Sequence, residues 1–200
     1  MTKPLLRARA CGVLLIAMLA LSACGASPAP YALLSIKGLV PRLAFNLTDQ
    51  DGRPVSAGDY RGRVVLLYFG YTQCPDACPT TLAELSQVLR RLGPRASEAR
   101  VLFVTVDPQR DTAAQLKRYV SFFGPQFVGL RGDDAELTAL TRRYRVAYHR
   151  EPADRNGNYV VDHSSAVFIF DRNGRPRLLA REGDPIEAIT SDLRRLTAQS

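Results

Sequence analysis

Two thiols four residues apart carry the chemistry of this sequence: Cys74 and Cys78, in the run Tyr68-Phe-Gly-Tyr-Thr-Gln-Cys-Pro-Asp-Ala-Cys-Pro79. A thiolate is a strong nucleophile and a soft metal ligand. Pro79 lacks an N–H and biases the residue before it away from helical torsions, so the sequence predicts a helix starting at Pro79 with Cys78 as its cap. The partial positive charge at a helix N-terminus should then lower the thiol pKa. Spacing separates the possible tasks. Thioredoxin-type redox motifs place two residues between the cysteines, and here there are three. The longer loop can still close a Cys74–Cys78 disulfide, and it can also spread two sulfurs around one soft ion such as Cu(I). A structural zinc site wants four ligands, and the only histidines, His149 and His163, stand 14 residues apart, away from a zinc-finger spacing. His163, in Val161-Asp162-His163-Ser164-Ser165, is the candidate third donor, because imidazole serves both Cu(I) and Cu(II). Taken alone, a histidine ahead of a strand is more often a capping or surface residue. His149 reads as an exposed strand residue.

The other two cysteines belong to the start of the chain. Lys3, Arg7 and Arg9 form a basic region ahead of an apolar run from Cys11 to Leu21, too short to span a bilayer, which reads as a secretory signal peptide. It ends in Leu21-Ser22-Ala23-Cys24, which resembles a bacterial lipobox with Cys24 as the lipidated N-terminus of the mature protein. The expected division is therefore a leader over 1–23, a lipidated end and tether over 24–38, and one domain over 39–200. Removing residues 1–23 takes away three basic residues and no acid, so the formal charge falls from +8 to +5. Part of the basic character is thus a targeting signal. The remaining arginines are scattered, as in Arg90-Arg91, Arg142-Arg143 and Arg194-Arg195, and read as solvated helix faces. No aromatic-basic motif for nucleic acid is present. Only Cys74 and Cys78 are left in the domain, so no disulfide framework staples it.

The elements that must position these residues alternate. A hydrophobic content of 46% is enough for a core, and 23% charged residues is near the globular average. An opening hairpin is expected around Leu43–Leu47 and the turn Asp51-Gly52-Arg53-Pro54. Residues 64–69 form a continuous apolar run of the kind found in a strand buried on both faces. A helix from Pro79 to Leu92 carries Leu82, Leu85, Val88, Leu89 and Leu92 on one side and stops at Gly93-Pro94. Strands are expected at 101–106 and 127–130, with helices from a cap at Asp111 or Thr112 to Phe123, and over 133–144. Residues 146–149 and 158–161 read as a hairpin turning at Asn156-Gly157. Strands 166–170 and 177–180, then a helix over 185–196, close the chain. This order predicts an α/β fold of the thioredoxin-like kind, a central mixed sheet flanked by helices, with an N-terminal β-hairpin and an inserted β-hairpin. Such sheets place their sites beyond the carboxyl ends of parallel strands, where the cysteine loop falls.

Three motifs in order, the cysteine run above, Val106-Asp107-Pro-Gln-Arg-Asp-Thr112, and Asp162-His163-Ser-Ser, resemble the SCO/SenC family of copper metallochaperones, which assemble the CuA centre of cytochrome c oxidase. The resemblance covers roughly Leu39 to Leu196. It implies copper bound by Cys74, Cys78 and His163, and a carrier rather than a catalyst. Its partner would be the copper-bearing subunit of the oxidase or another copper chaperone. The setting implied is a monomeric domain, lipid-anchored to a bacterial membrane and facing the periplasm or the cell exterior. Asp107 is either a carboxylate near the site or a turn-former beside Pro108. Thioredoxin-fold oxidoreductases have a cis-proline facing the cysteines; here Asp162-His163-Ser164-Ser165 stands in that place. The competing reading is a thiol–disulfide oxidoreductase that reduces the cysteines of the copper acceptor or of other exported proteins. It would use the same thiols and would not need His163.

Overall fold

The computed structural model describes residues 30–155 and 159–199. Along them run β1 (Leu34–Ser35), β2 (Asn46–Asp49), β3 (Pro54–Ser56), β4 (Val64–Gly70), α1 (Ala77–Leu92), β5 (Ala99–Thr105), α2 (Ala113–Ser121) and β6 (Phe127–Arg131). There follow α3 (Asp134–Tyr144), β7 (Tyr148–Arg150), β8 (Val161–His163), β9 (Val167–Phe170), β10 (Pro176–Ala180) and α4 (Ile186–Ala198).

The apolar run at 64–70 explains the layering. All seven residues of β4 are buried, as the continuous hydrophobicity predicts for a strand covered on both faces. Side chains alternate across a strand, so Val64, Leu66 and Tyr68 enter one core while Val65, Leu67 and Phe69 enter the other. The first core takes Leu82, Leu85, Val88 and Leu89 of α1, Leu116 and Val120 of α2, and Ile189, Leu193 and Leu196 of α4. The second takes Leu137, Leu140 and Tyr144 of α3. Each such large apolar side chain contributes roughly 2 kcal/mol when fully buried. Helix ends are set locally. Thr112 and Asp133 each build a reciprocal capping box, with Gln115 and Glu136 respectively. Gly93 closes α1 with φ of 61°, a torsion open to glycine at little cost.

The main sheet has the order β1-β10-β9-β4-β5-β6-β2-β3. Strands β4, β5 and β6 are parallel, while β9 runs antiparallel to β4 with Tyr68 opposite Val167. The mixed sheet is as expected. The opening hairpin β2–β3 extends that sheet through β6, and the β7–β8 hairpin forms a separate two-stranded ribbon. Two expectations are corrected. Residues 31–38, assigned above to the tether, belong to the fold: β1 pairs with β10, Leu33 and Ile36 are buried, and the Leu33 N–H donates to Asp192 Oδ2 at 2.8 Å. The arms of the second hairpin are shifted from 146–149 and 158–161: the paired strands are Tyr148–Arg150 and Val161–His163, with the Glu151 N–H donating to the Val160 carbonyl at 2.9 Å. The expected turn residues Asn156 and Gly157 lie outside the described residues, as do the leader and Cys24. No described helix is long and apolar enough to cross a membrane.

The topology gathers three chain segments at one edge. The carboxyl ends of the parallel neighbours β4 and β5 lie side by side, with Gly70 opposite Thr105. Because β9 is antiparallel to β4, the residues entering it from β8 reach the same edge. Cysteine loop, Asp107 loop and His163 therefore converge.

Candidate metal centre

From Gly70 the chain turns through Tyr71 to Cys74, whose N–H donates to the Tyr71 carbonyl at 3.3 Å. The helix start is corrected: α1 begins at Ala77, so Cys78 lies within its first turn instead of capping it. The first N–H groups of a helix have no intrahelical acceptor, so Pro79 sacrifices no bond at the third position. Asp76, at the cap position, makes no side-chain capping bond. Instead the Cys78 N–H donates to Cys74 Sγ at 3.4 Å, so one cysteine caps the helix that carries the other.

The earlier start also decides the chemistry of Cys78. It falls on the apolar stripe of α1, four residues before Leu82, and is completely buried among Leu82, Leu85 and their neighbours. Burial, with a further contribution from Cys74, pushes the Cys78 thiol up to about 12. The lowering expected from the helix N-terminus is therefore overturned at this residue, because desolvation of the thiolate outweighs the backbone hydrogen bond that favours it. Cys74 is half-buried and touches both cores. Both are free thiols, the form in which they can act as metal ligands.

His163, at the end of β8, places Nε2 3.2 Å from Cys78 Sγ. Its Nδ1 is 3.1 Å from the Ser164 carbonyl oxygen. A carbonyl only accepts, so Nδ1 carries the proton and Nε2 turns a bare lone pair toward the sulfurs. Tyr68 and Tyr71 hold the ring edge-on, with centroids at 6.1 and 5.9 Å. Burial lowers the His163 pKa, favouring the neutral imidazole that binds metals. The donor atoms of Cys74, Cys78 and His163 all lie within 4.8 Å of one another. Donors around a single ion sit roughly 3.5–4 Å apart, given metal–sulfur and metal–nitrogen bonds of about 2.3 and 2.0 Å. Small side-chain rotations thus close the group on one ion, and a set of two thiolates and an imidazole suits copper.

The other histidine stays apart. His149 pairs in register with Asp162, and its exposed ring lies 4.0 Å from the Glu151 carboxylate.

Three residues near the site escaped the sequence reading or change their part in it. Asp111, weighed above as a helix cap, is a fully buried carboxylate. It accepts from the Thr72 N–H at 3.0 Å, the Thr72 hydroxyl at 2.6 Å and the Thr105 hydroxyl at 2.6 Å, tying the cysteine loop to the end of β5. Gly70 lies so close that a Cβ there would sit 2.7 Å from Cys78 Sγ and 2.8 Å from Phe103 Cε2. Asp107 is fully buried; its carboxylate accepts from Arg110, from Arg150 at 3.3 Å and from the Tyr159 hydroxyl at 2.8 Å. None of these partners is a cysteine or histidine of the donor group.

A profile of the SCO1/SenC family matches residues 41–198. This chain belongs to the SCO1/SenC family. Among curated SCO relatives, the mitochondrial protein SCO2 homolog of Bos taurus is 42% identical over 153 residues, which is 76% of this chain and 58% of the relative. The chain thus spans little more than half of that relative's length. Among solved SCO structures, Bradyrhizobium japonicum ScoI with copper bound superimposes with a TM-score of 0.71 at 40% identity, covering 78% of this chain and 98% of that one. Yeast Sco1 with copper bound gives 0.72 at 29% identity, covering 80% and 91%.

Proposed function

We propose that this SCO1/SenC protein binds copper through Cys74, Cys78 and His163 and hands it on during assembly of the CuA site of cytochrome c oxidase. The observation that carries this reading is the convergence of two free thiols and an imidazole, its Nε2 beside Cys78 Sγ, within 4.8 Å of one another. Copper is bound in the structures of the Bradyrhizobium japonicum and yeast relatives, and the donor chemistry here is of the kind that suits it. A pair of thiolates retains Cu(I), and His163 adds the nitrogen donor that Cu(II) favours. Release follows by ligand exchange. An incoming thiolate of the acceptor attacks the metal, and the sulfurs of this protein leave in turn, taking up the protons that loading displaced. Half-buried Cys74 is the sulfur an acceptor reaches first, and buried Cys78 the last to let go.

The reading extends to location. The basic start, the short apolar run and Leu21-Ser22-Ala23-Cys24 support export and lipidation at Cys24, with the domain on the outer side of the membrane. Residues 25–30 would then be the short link between the lipid and the fold.

Transfer tests the function. Copper-loaded protein is mixed with the metal-free, reduced CuA-bearing domain of the copper-bearing subunit of cytochrome c oxidase, the two are separated, and copper is counted in each. Copper should move to that domain and should stay behind when the domain's own ligand cysteines are replaced by serine. Copper that remains on the donor in both cases contradicts the proposal.

A further inference from the structure

His163 is not carried by the main sheet. It ends β8, on the two-stranded ribbon β7–β8, so its distance from the cysteines depends on what fastens that ribbon. The fastenings converge on Asp107. The Tyr159 hydroxyl donates to Asp107 Oδ1 at 2.8 Å, and Arg150, at the end of β7, donates to the same oxygen at 3.3 Å. Arg110 pairs with Asp107 Oδ2, donates to the Tyr159 carbonyl at 3.0 Å, and stacks its guanidinium 3.5 Å from the centroid of the Tyr159 ring. Arg150 lies 4.8 Å from the same ring. Beyond Tyr159, the Val161 N–H donates to the Tyr71 hydroxyl at 3.3 Å, in the loop that leads to Cys74. A buried carboxylate facing two guanidiniums and a phenol is held rigidly, because any partner that leaves strands a charge out of water.

We propose that Asp107, Arg110 and Tyr159 are positioning residues of the metal centre: they clamp the β7–β8 ribbon to the β5–α2 loop and so hold His163 Nε2 against the cysteine sulfurs. This rests on the copper reading above and adds a selectivity to it. Cys78 is placed by α1 and Cys74 by the loop after β4, where Arg110 reaches Gln73 Oε1 at 3.3 Å and lies 5.5 Å from the Tyr71 ring. The nitrogen is placed by the ribbon, which Tyr159 fastens through its hydroxyl to Asp107 and not to the cysteine loop. Loosening the clamp should therefore cost the oxidation state that relies on imidazole, Cu(II), and spare Cu(I), which two thiolates retain. Partners that orient a metal ligand are typically worth 10–100-fold in metal affinity, and a clamp acting through one ligand belongs at the lower end, about tenfold.

The test uses the purified protein processed at Cys24, reduced and titrated separately with Cu(I) and Cu(II), in wild type, Tyr159→Ala, Tyr159→Phe and His163→Ala. Tyr159→Ala removes the stacked ring and the phenol. It should weaken Cu(II) about tenfold, diminish the nitrogen hyperfine coupling in the electron paramagnetic resonance spectrum, and leave Cu(I) affinity within about twofold. Tyr159→Phe keeps the ring under Arg110 and should recover most of the Cu(II) affinity. Unchanged Cu(II) binding in Tyr159→Ala, with His163→Ala still impaired, overturns the clamp alone. Equal losses for both oxidation states also overturn it, since they would mean general damage to the fold. If His163→Ala itself binds Cu(II) as wild type does, the role of His163 fails, and the clamp with it.

Discussion

A variant with both Cys74 and Cys78 replaced by serine should fail to bind Cu(I), while keeping the parent fold at reduced stability. Serine is close to cysteine in size, so the fold is kept, yet its hydroxyl is a hard donor that stays protonated at neutral pH. The loss should go well beyond the ~100-fold typical of removing a group that only orients a ligand. The two single variants should differ in folding. Cys78 is completely buried on the stripe of α1, so a serine there buries a hydroxyl and should destabilise the fold by on the order of 1–3 kcal/mol. Cys74 is half-buried, and its replacement keeps an acceptor for the Cys78 N–H. Equilibrium competition against a Cu(I) chelator reads affinity, and urea denaturation reads stability. Wild-type Cu(I) affinity in the double variant would rule the thiols out as the site.

Gly70→Ala should also weaken copper binding, although it alters no ligand. The added methyl would approach Cys78 Sγ to 2.7 Å and the Phe103 ring to 2.8 Å, both inside van der Waals contact. Neither neighbour yields easily: Cys78 is fixed by the helix, and Phe103 is fully buried in the core of β5. Overpacking of this kind costs about 1–3 kcal/mol. Relief displaces the Cys78 sulfur from its place 3.2 Å from His163 Nε2, and copper affinity should fall about 10–100-fold, the scale for misorienting a ligand. Thermal unfolding and the Cu(I) competition assay check the two parts. A stable Gly70→Ala protein with unchanged affinity would mean that the sulfur position matters little.

Much of this was legible in the residues because it depended on local pattern. The apolar run at 64–70 and the leucine stripe of α1 each point to one element, and they meet at the cysteines. The match of three short motifs to a family supplied His163, which spacing alone left open. What was not legible depended on contacts between distant parts of the chain. Asp111 meets Thr72 across 39 residues and Asp107 meets Tyr159 across 52, so neither role shows in a local window. The two-residue strand β1 is too short to have a period, and only its pairing with β10 gives it form. The thiol chemistry of Cys78 was misjudged for a related reason. Proline before a helix is a strong local signal, but the free N–H of Cys78 found a sulfur acceptor, and the helix extended back far enough to bury the thiol. Burial then raised its proton affinity, more than the hydrogen bond from the Tyr71 backbone lowered it.

The proposed centre requires Cys74, Cys78 and His163 to act together on one copper ion. X-ray absorption at the copper edge, on protein loaded with one equivalent of Cu(II), counts those donors directly. Wild type should show two sulfur scatterers and an imidazole, and His163→Ala should keep the sulfurs and lose the imidazole. A wild-type spectrum without sulfur, or an imidazole signal that survives in His163→Ala, would contradict it.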